Sequence, residues 1–336
     1  MRTAHHSTAH GGASVFAAAL TAGVVLACAL VFGPMAGMSG ASPGYLTAKV
    51  KAGSSPAAAD VRGPQWQGTR SVTYCVEDGQ ALLMTLFAPN NPGVSQHPVP
   101  VVLQVHGGGW QQGSRFTSLA DSTTATDLVS AGFMVASIDY RLAPKYPWPD
   151  QIVDVECAVR FLRAHATTFG IDPTRIAAWG DSAGGQLVSL LGTANVSQPW
   201  QKGSYLTESS RVAAVVDEFG PADLGATDWP HSTAEMIRTV FGAWPSAASP
   251  VLKGASPVTY VTAGDPPFLI IQGRDDQVVP VSQSEELAQR LRAVGNHPDL
   301  VLVDRGRHGL DTPGEIPSTS EISSIITTYL QRNLHN

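Results

Sequence analysis

Residues 178–185 read Ala178-Trp179-Gly180-Asp181-Ser182-Ala183-Gly184-Gly185, set between two apolar runs. The run before, 175–179, reads as a strand, and the run after, 185–192, as a helix. A strand that passes directly into a helix must reverse direction within a few residues. Glycine on both sides of the serine tolerates that turn, where a β-carbon would clash. The pattern predicts a Ser182 hydroxyl held out at the top of a sheet. The positive end of the next helix would point at whatever the serine attacks, favouring developing negative charge. The chemistry implied is nucleophilic acyl transfer from Ser182.

A Gly-x-Ser-x-Gly match alone arises by chance, so its weight depends on what surrounds it. Upstream, the β-rich run 101–105 ends in His106-Gly107-Gly108-Gly109-Trp110. The plain reading of three glycines is a flexible loop. At a strand end ahead of a candidate nucleophile, they instead bring backbone N–H groups close to a reacting carbonyl. The expected oxyanion donors are Gly107 or Gly108, with the Ala183 amide. Trp110 and Asp181 are expected to border the substrate pocket, although Trp110 also reads as a packed tryptophan and Asp181 as a residue holding the loops together.

A base and its orienting acid should follow. Residues 267–280 form a buried strand and a turn carrying Asp275 and Asp276. A helical stretch at 282–294 places Leu287, Leu291 and Val294 on one face. The strand 300–304 then leads into Gly306-Arg307-His308-Gly309. The sequence has ten histidines, and only His308 falls where the order serine, acid, histidine requires. His5, His6, His10 and His97 come too early, His106 belongs to the glycine loop, and His335 to the tail. His165, His231 and His297 read as solvated or packed side chains.

Eight strands are expected, at 71–76, 82–88, 101–106, 133–139, 175–179, 212–217, 268–273 and 300–304. The first two form a hairpin about Glu77-Asp78-Gly79-Gln80. The others alternate with helices, including 151–167, 186–191, 282–294 and 320–334. That alternation predicts an α/β fold, a mostly parallel eight-stranded sheet with helices on both faces. Its site would lie at the carboxyl ends of the strands. Residues 222–254 break the alternation. Their Trp229, Phe241 and Trp244 suggest a small cap, or else a surface insertion packed onto the body. Asp139 and Arg141 are expected to tie down a strand end beneath the site.

The leading residues differ in character. Residues 14–33 are almost uniformly apolar, with Arg2 ahead and Ser39-Gly40-Ala41 behind. Residues 1–41 read as an export signal cleaved after Ala41, or alternatively as a membrane anchor, since about 20 apolar residues span a bilayer. Residues 42–66 read as a flexible linker. About 270 residues remain, enough for one core, so 67–336 reads as a single catalytic domain. The net charge of −6, without long basic runs, argues against nucleic acid as a partner. No phosphate loop, repeat or Cys/His metal spacing is present in the sequence, so no cofactor or metal is implied. Cys75 and Cys157 remain after export, and sequence alone leaves open a disulfide or two buried thiols.

Together these pieces resemble an α/β-hydrolase esterase. The resemblance is strongest to the secreted bacterial feruloyl/acetyl-xylan esterase-like (BD-FAE-like) group, which borders the hormone-sensitive-lipase-like esterases. It is carried by the glycine loop at His106, Asp139 to Pro144, Trp148 to Gln151, Gly180 to Gly185, Phe219 to Leu224, Ala255 to Tyr260, Asp265 to Phe268 and Gly306 to Gly309. The family's acid turn, set on Gly273 and Val279-Pro280, selects Asp276 over Asp275. Gln272 stands where that turn has a histidine, which implies the loss of one polar ring beneath the site. The resemblance implies a monomeric or dimeric carboxylic ester hydrolase acting on short-chain or carbohydrate-linked esters through Ser182, Asp276 and His308. Aryl formamidase, amidase or exopeptidase-like activity on the same scaffold is the alternative. A non-catalytic member of the fold is disfavoured because every part of the machinery is present.

Overall fold

The computed structural model describes residues 69–89, 98–119, 122–194, 198 and 200–334. The expected signal or anchor at 1–41 and the linker at 42–66 lie outside these residues. Within the described chain, apolar runs become strands wherever they pair. The strands are β1 (Arg70–Glu77), β2 (Gln80–Phe87), β3 (Val99–Val105), β4 (Met134–Ile138), β5 (Ile171–Asp181), β6 (Val215–Glu218), β7 (Phe268–Gly273) and β8 (Asp299–Val303). The helices are α1 (Thr123–Ser130), α2 (Asp150–Ala164), α3 (Ala166–Phe169), α4 (Ala183–Thr193), α5 (His231–Phe241), α6 (Pro250–Ala255), α7 (Val281–Ala293) and α8 (Thr319–Leu334).

All eight strands form one sheet in the order β1-β2-β4-β3-β5-β6-β7-β8. β2 is antiparallel to both β1 and β4, and every later pairing is parallel. β3 is buried along its whole length, as a central parallel strand covered on both faces must be. Its side chains alternate between two cores. Val101, Leu103 and Val105 face a core shared with Ile152 and Val155 of α2, Leu187 of α4 and Leu287 of α7. Val102 faces the other, with Leu128 of α1 and Ile322 and Tyr329 of α8. The two helix layers thereby hold the sheet's carboxyl edge between them.

The strand end below that edge is tied by charge. Arg141 meets Asp154 at 2.7 Å and Asp150 at 3.3 Å, and also pairs with Asp78. Burial pushes the Asp154 carboxyl up to about 6, against the opposing pull of Arg141. Asp139 pairs with Arg115 rather than with Arg141, and its carboxylate also accepts the Arg115 amide at 2.8 Å. The two residues expected to secure this strand end do so through separate partners.

The 222–254 segment divides between the two readings made of it. Trp229 and Phe241 pack into the core, whereas Trp244 is 48% exposed. Met236 of α5 reaches the cleft described below. Among the described residues, no helix is long and apolar enough to cross a membrane.

Cys75 of β1 and Cys157 of α2 form a disulfide, with Cα atoms 6.5 Å apart and a sequence separation of 82. Closing a loop of that length removes entropy from the unfolded chain equivalent to about 4–5 kcal/mol of stability. Guanidinium unfolding with and without reductant should therefore show a loss of up to that size. A Cys75→Ala/Cys157→Ala variant should match the reduced protein and ignore the reductant.

Candidate active site

Ser182 sits between the end of β5 and the start of α4 with φ 53° and ψ −118°, a conformation rarely adopted by residues with a β-carbon. Its surroundings hold it there. Its amide donates to the Glu218 carbonyl at 2.8 Å, and its carbonyl accepts from Gln186 at 3.0 Å. The flanking glycines are required by contact. A β-carbon on Gly180 would lie 2.5 Å from the Gly184 carbonyl, and one on Gly184 would lie 2.0 Å from the Val105 carbonyl oxygen.

His308 follows β8, and Asp276 lies in the turn after β7. The His308 Nε2 is 3.0 Å from Ser182 Oγ, and its Nδ1 is 2.8 Å from Asp276 Oδ2. A carboxylate can only accept, so the proton belongs on Nδ1. That leaves Nε2 to accept from the serine hydroxyl. Asp276 Oδ1 accepts the amides of Val278 at 2.8 Å and Val279 at 3.0 Å. The Phe219 ring packs edge-to-face with the imidazole, centroids 4.8 Å apart, and closes the apolar side. Asp275 is exposed, and its amide donates to the Gly306 carbonyl. The turn thus directs Asp276 inward and Asp275 outward.

The glycine loop crosses in front of the serine. Gly108 and Gly109 have φ of 107° and 60° and both line the cleft. The buried His106 ring sets the loop from below. Burial lowers its affinity for a proton, and Nδ1–H donates to the Gly107 carbonyl at 2.6 Å. Gly107 packs against Asp181, where a β-carbon would lie 2.4 Å from Oδ2; burial raises the Asp181 pKa, and hydrogen bonds from the Ser118 hydroxyl and the Gly107 amide oppose the rise only in part. Of the expected oxyanion donors, Gly108 faces the cleft, Ala183 opens α4 beside the nucleophile, and Gly107 is turned toward Asp181.

Trp110 does not line the pocket, contrary to expectation. The chain turns at φ 60° and carries its ring inward to 2% exposure. There Nε1 donates to Gln186 at 2.9 Å, and the ring packs edge-on against Phe241 at 5.1 Å. It anchors the loop to α4. Asp181 does border the cleft, and its carboxylate also accepts the Ser118 hydroxyl at 2.8 Å.

The cleft beside Ser182 encloses about 630 Å³. Its lining includes Gln112, Ser118, Glu218, Met236, Asp311 and Thr319, and no lysine or arginine among the described residues. Sequence reading passed over Glu218 and its neighbour Asp217, two acids at the end of a buried strand. That placement was itself the available signal. Burial pushes the Glu218 carboxyl up to about 8, with Asp181 and Asp217 adding to the rise, against a hydrogen bond from Trp179 Nε1. Burial likewise pushes Asp217 up to about 6, although it accepts from Ser189 and Gly220. Away from the cleft, Cys75, Glu77 and Cys157 cluster as metal ligands would, but the two sulfurs are bonded to each other.

The BD-FAE family model matches residues 86–291. The chain belongs to the BD-FAE family. Esterase LipC of Mycobacterium tuberculosis is 38% identical over 219 residues, covering 64% of this chain and 54% of LipC. Esterase LipQ of the same organism is 30% identical over 202 residues, covering 58% and 46%. The chain thus spans about half the length of these curated relatives. Among solved structures, a truncated carbohydrate esterase from gut microbiota superposes with a TM-score of 0.69. It is 26% identical and covers 81% of this chain and 98% of that one. The butyrate-bound Est2 esterase of Thermogutta terrifontis gives 0.63 at 25% identity, covering 80% and 94%. This BD-FAE member has the α/β-hydrolase fold of those esterases.

The raised Glu218 pKa has a consequence for stability. In the unfolded chain this carboxyl loses its proton near its ordinary 4.5, whereas in the fold it keeps it to about 8. Between those values the folded state binds more protons than the unfolded one. Its stability contribution is therefore full below about pH 4.5 and falls as pH rises to about 8. Glu218→Gln, which keeps an acceptor for Trp179, should gain on the wild type progressively across that window in urea-unfolding midpoints. A gap independent of pH would assign the slope to other groups.

Proposed function

We propose that this BD-FAE member is a serine carboxylesterase, with Ser182 as nucleophile, His308 as general base and Asp276 as its orienting acid. The observation that carries the reading is the continuous chain from Ser182 Oγ through His308 to Asp276, at 3.0 Å and 2.8 Å. As the hydroxyl attacks an ester carbonyl, His308 Nε2 takes its proton, and Asp276 stabilises the resulting imidazolium. The carbonyl oxygen becomes an oxyanion facing the Gly108 and Ala183 amides and the positive end of α4. His308 returns the proton to the departing alcohol. Water, activated by the same imidazole, then cleaves the acyl-enzyme.

For substrate, we infer short-chain or carbohydrate-linked esters. The cleft sets the apolar side chains of Phe219, Met236, Val278 and Leu310 beside amide, hydroxyl and carboxyl groups of Gln112, Ser118 and Asp311, a mixed lining that suits a short acyl group on a hydroxylated, uncharged alcohol. The relatives named as esterases and the gut carbohydrate esterase support this class. We further propose that the protein works after export, in an oxidising compartment where the Cys75–Cys157 bond persists.

A series of p-nitrophenyl esters from acetate to palmitate tests the reading. Turnover should be fastest on the short chains. Ser182→Ala and His308→Ala should each abolish it, and Asp276→Asn should lower kcat by roughly 10³–10⁴. Equal turnover in Ser182→Ala would sink the assignment. Greater damage from Asp275→Asn would transfer the acid's role to that residue. Hydrolysis confined to an aryl formamide or peptide amide would favour the amidase alternative.

A further inference from the structure

The carboxylate of Asp276 makes one contact that the triad scheme leaves unused. Its Oδ2 faces His308 and also accepts from Gln272 Nε2 at 3.0 Å. Gln272 is the penultimate residue of β7, just before Gly273, and is fully buried. Its amide nitrogen also reaches the Gly273 carbonyl at 3.2 Å and the Val279 carbonyl at 3.3 Å. Three acceptors converge on that end of the side chain. At the other end, Oε1 accepts the hydroxyl of Ser284, in the first turn of α7, at 2.9 Å. These partners fix the orientation of the amide, since a flipped one would set its oxygen against the Asp276 carboxylate. With Val278 and Val279 on Oδ1, the carboxylate has two donors on each oxygen and no freedom to rotate.

We infer that Gln272, held by Ser284, is a positioning residue that aims Asp276 at His308. The inference rests on reading Ser182, His308 and Asp276 as the catalytic chain. Gln272 acts without charge. Its donor fixes the carboxylate and draws electron density from Oδ2, which moderates how strongly Asp276 stabilises the imidazolium. Other groups also face His308. Asp181 on β5 interacts with its charge, Phe219 offers an apolar edge, and Glu218 and Asp311 line the same cleft. None of these touches Gln272 through a hydrogen bond.

Gln272→Met keeps the bulk of the side chain and removes the donor. A hydrogen bond to a charged group is worth enough that kcat should fall about 10- to 100-fold, with KM unchanged. More of the Asp276 charge then falls on His308, whose imidazolium gains stability. The acid limb of the pH profile should move to higher pH, and the low-field proton resonance of His308 Nδ1–H should shift. Ser284→Ala should move all three readouts the same way by less, and it keeps the test decisive should Gln272→Met not fold. Folded variants with wild-type kcat, acid limb and resonance would overturn the inference. So would a loss of activity that follows thermal stability while the resonance stays fixed. The resonance is read without substrate. Wild-type protein inert on esters would therefore fail the esterase reading, whereas a resonance indifferent to Gln272→Met would fail this one.

Discussion

The site depends on how closely three strand ends approach one another. β3, β5 and β6 run parallel in a register that sets Val105 beside Gly180 and Asp181 beside Glu218. The elbow at Ser182 fits because Gly184 lies against the Val105 carbonyl and Gly185 against Asp217. A backbone held in such a sparsely populated conformation costs about 1–3 kcal/mol and persists only where its surroundings fix it. Here the surroundings are the sheet itself. Hydrogen bonds from Ser182 to Glu218 and from Gln186 to Ser182 bind the turn to β6 and to the helix it starts. The nucleophile's position is a property of the pairing register, not of a flexible loop.

Beneath the elbow lies an unusual concentration of buried acid. Asp217 links α4, through Ser189, to the loop after β6, through Gly220. Glu218 receives the indole of Trp179. Away from water, a carboxyl that meets only neutral donors favours its protonated form. This floor therefore supplies hydrogen bonds, and Glu218, which keeps its proton to about 8, adds no negative charge at neutral pH near a centre that must itself develop an oxyanion. Of Asp217, Glu218 and Asp276, it is Asp276 that has four donors, and it is the one placed against the imidazole that must become a cation.

How much of this was legible in the sequence varies with the kind of contact involved. The central strands were readable because their apolar runs are buried on both faces, and the serine, acid and histidine because chain order limits them so severely. The boundaries shifted where packing decided them. β6 begins at Val215 rather than at 212, and the expected helix 151–167 divides at His165 into α2 and α3. α1 was not foreseen, because Thr123-Thr124-Ala125-Thr126 has poor intrinsic helix preference. It forms because Ser122 caps it and Leu128 is buried against the α8 side of the sheet. Trp110 was misplaced because proximity in sequence to the glycine loop says nothing of which way a positive-φ residue sends its side chain. Gln272 read as a lost ring, although its amide reaches the acid. Only coordinates distinguish an absent side chain from a substitute one.

The bond between Cys75 and Cys157 lies far from this chemistry, yet it bears on how copies of the molecule behave toward one another. β1 is the outermost strand on one side of the sheet, and a bare edge invites pairing with another chain. Among the described residues its strand neighbour is β2, so a fluctuation that peeled it away would expose two adjoining edges. The covalent link to α2, which packs beneath the sheet, limits how far β1 can depart. Wherever the bond stays oxidised, that link would act as a safeguard against self-association at the sheet edge.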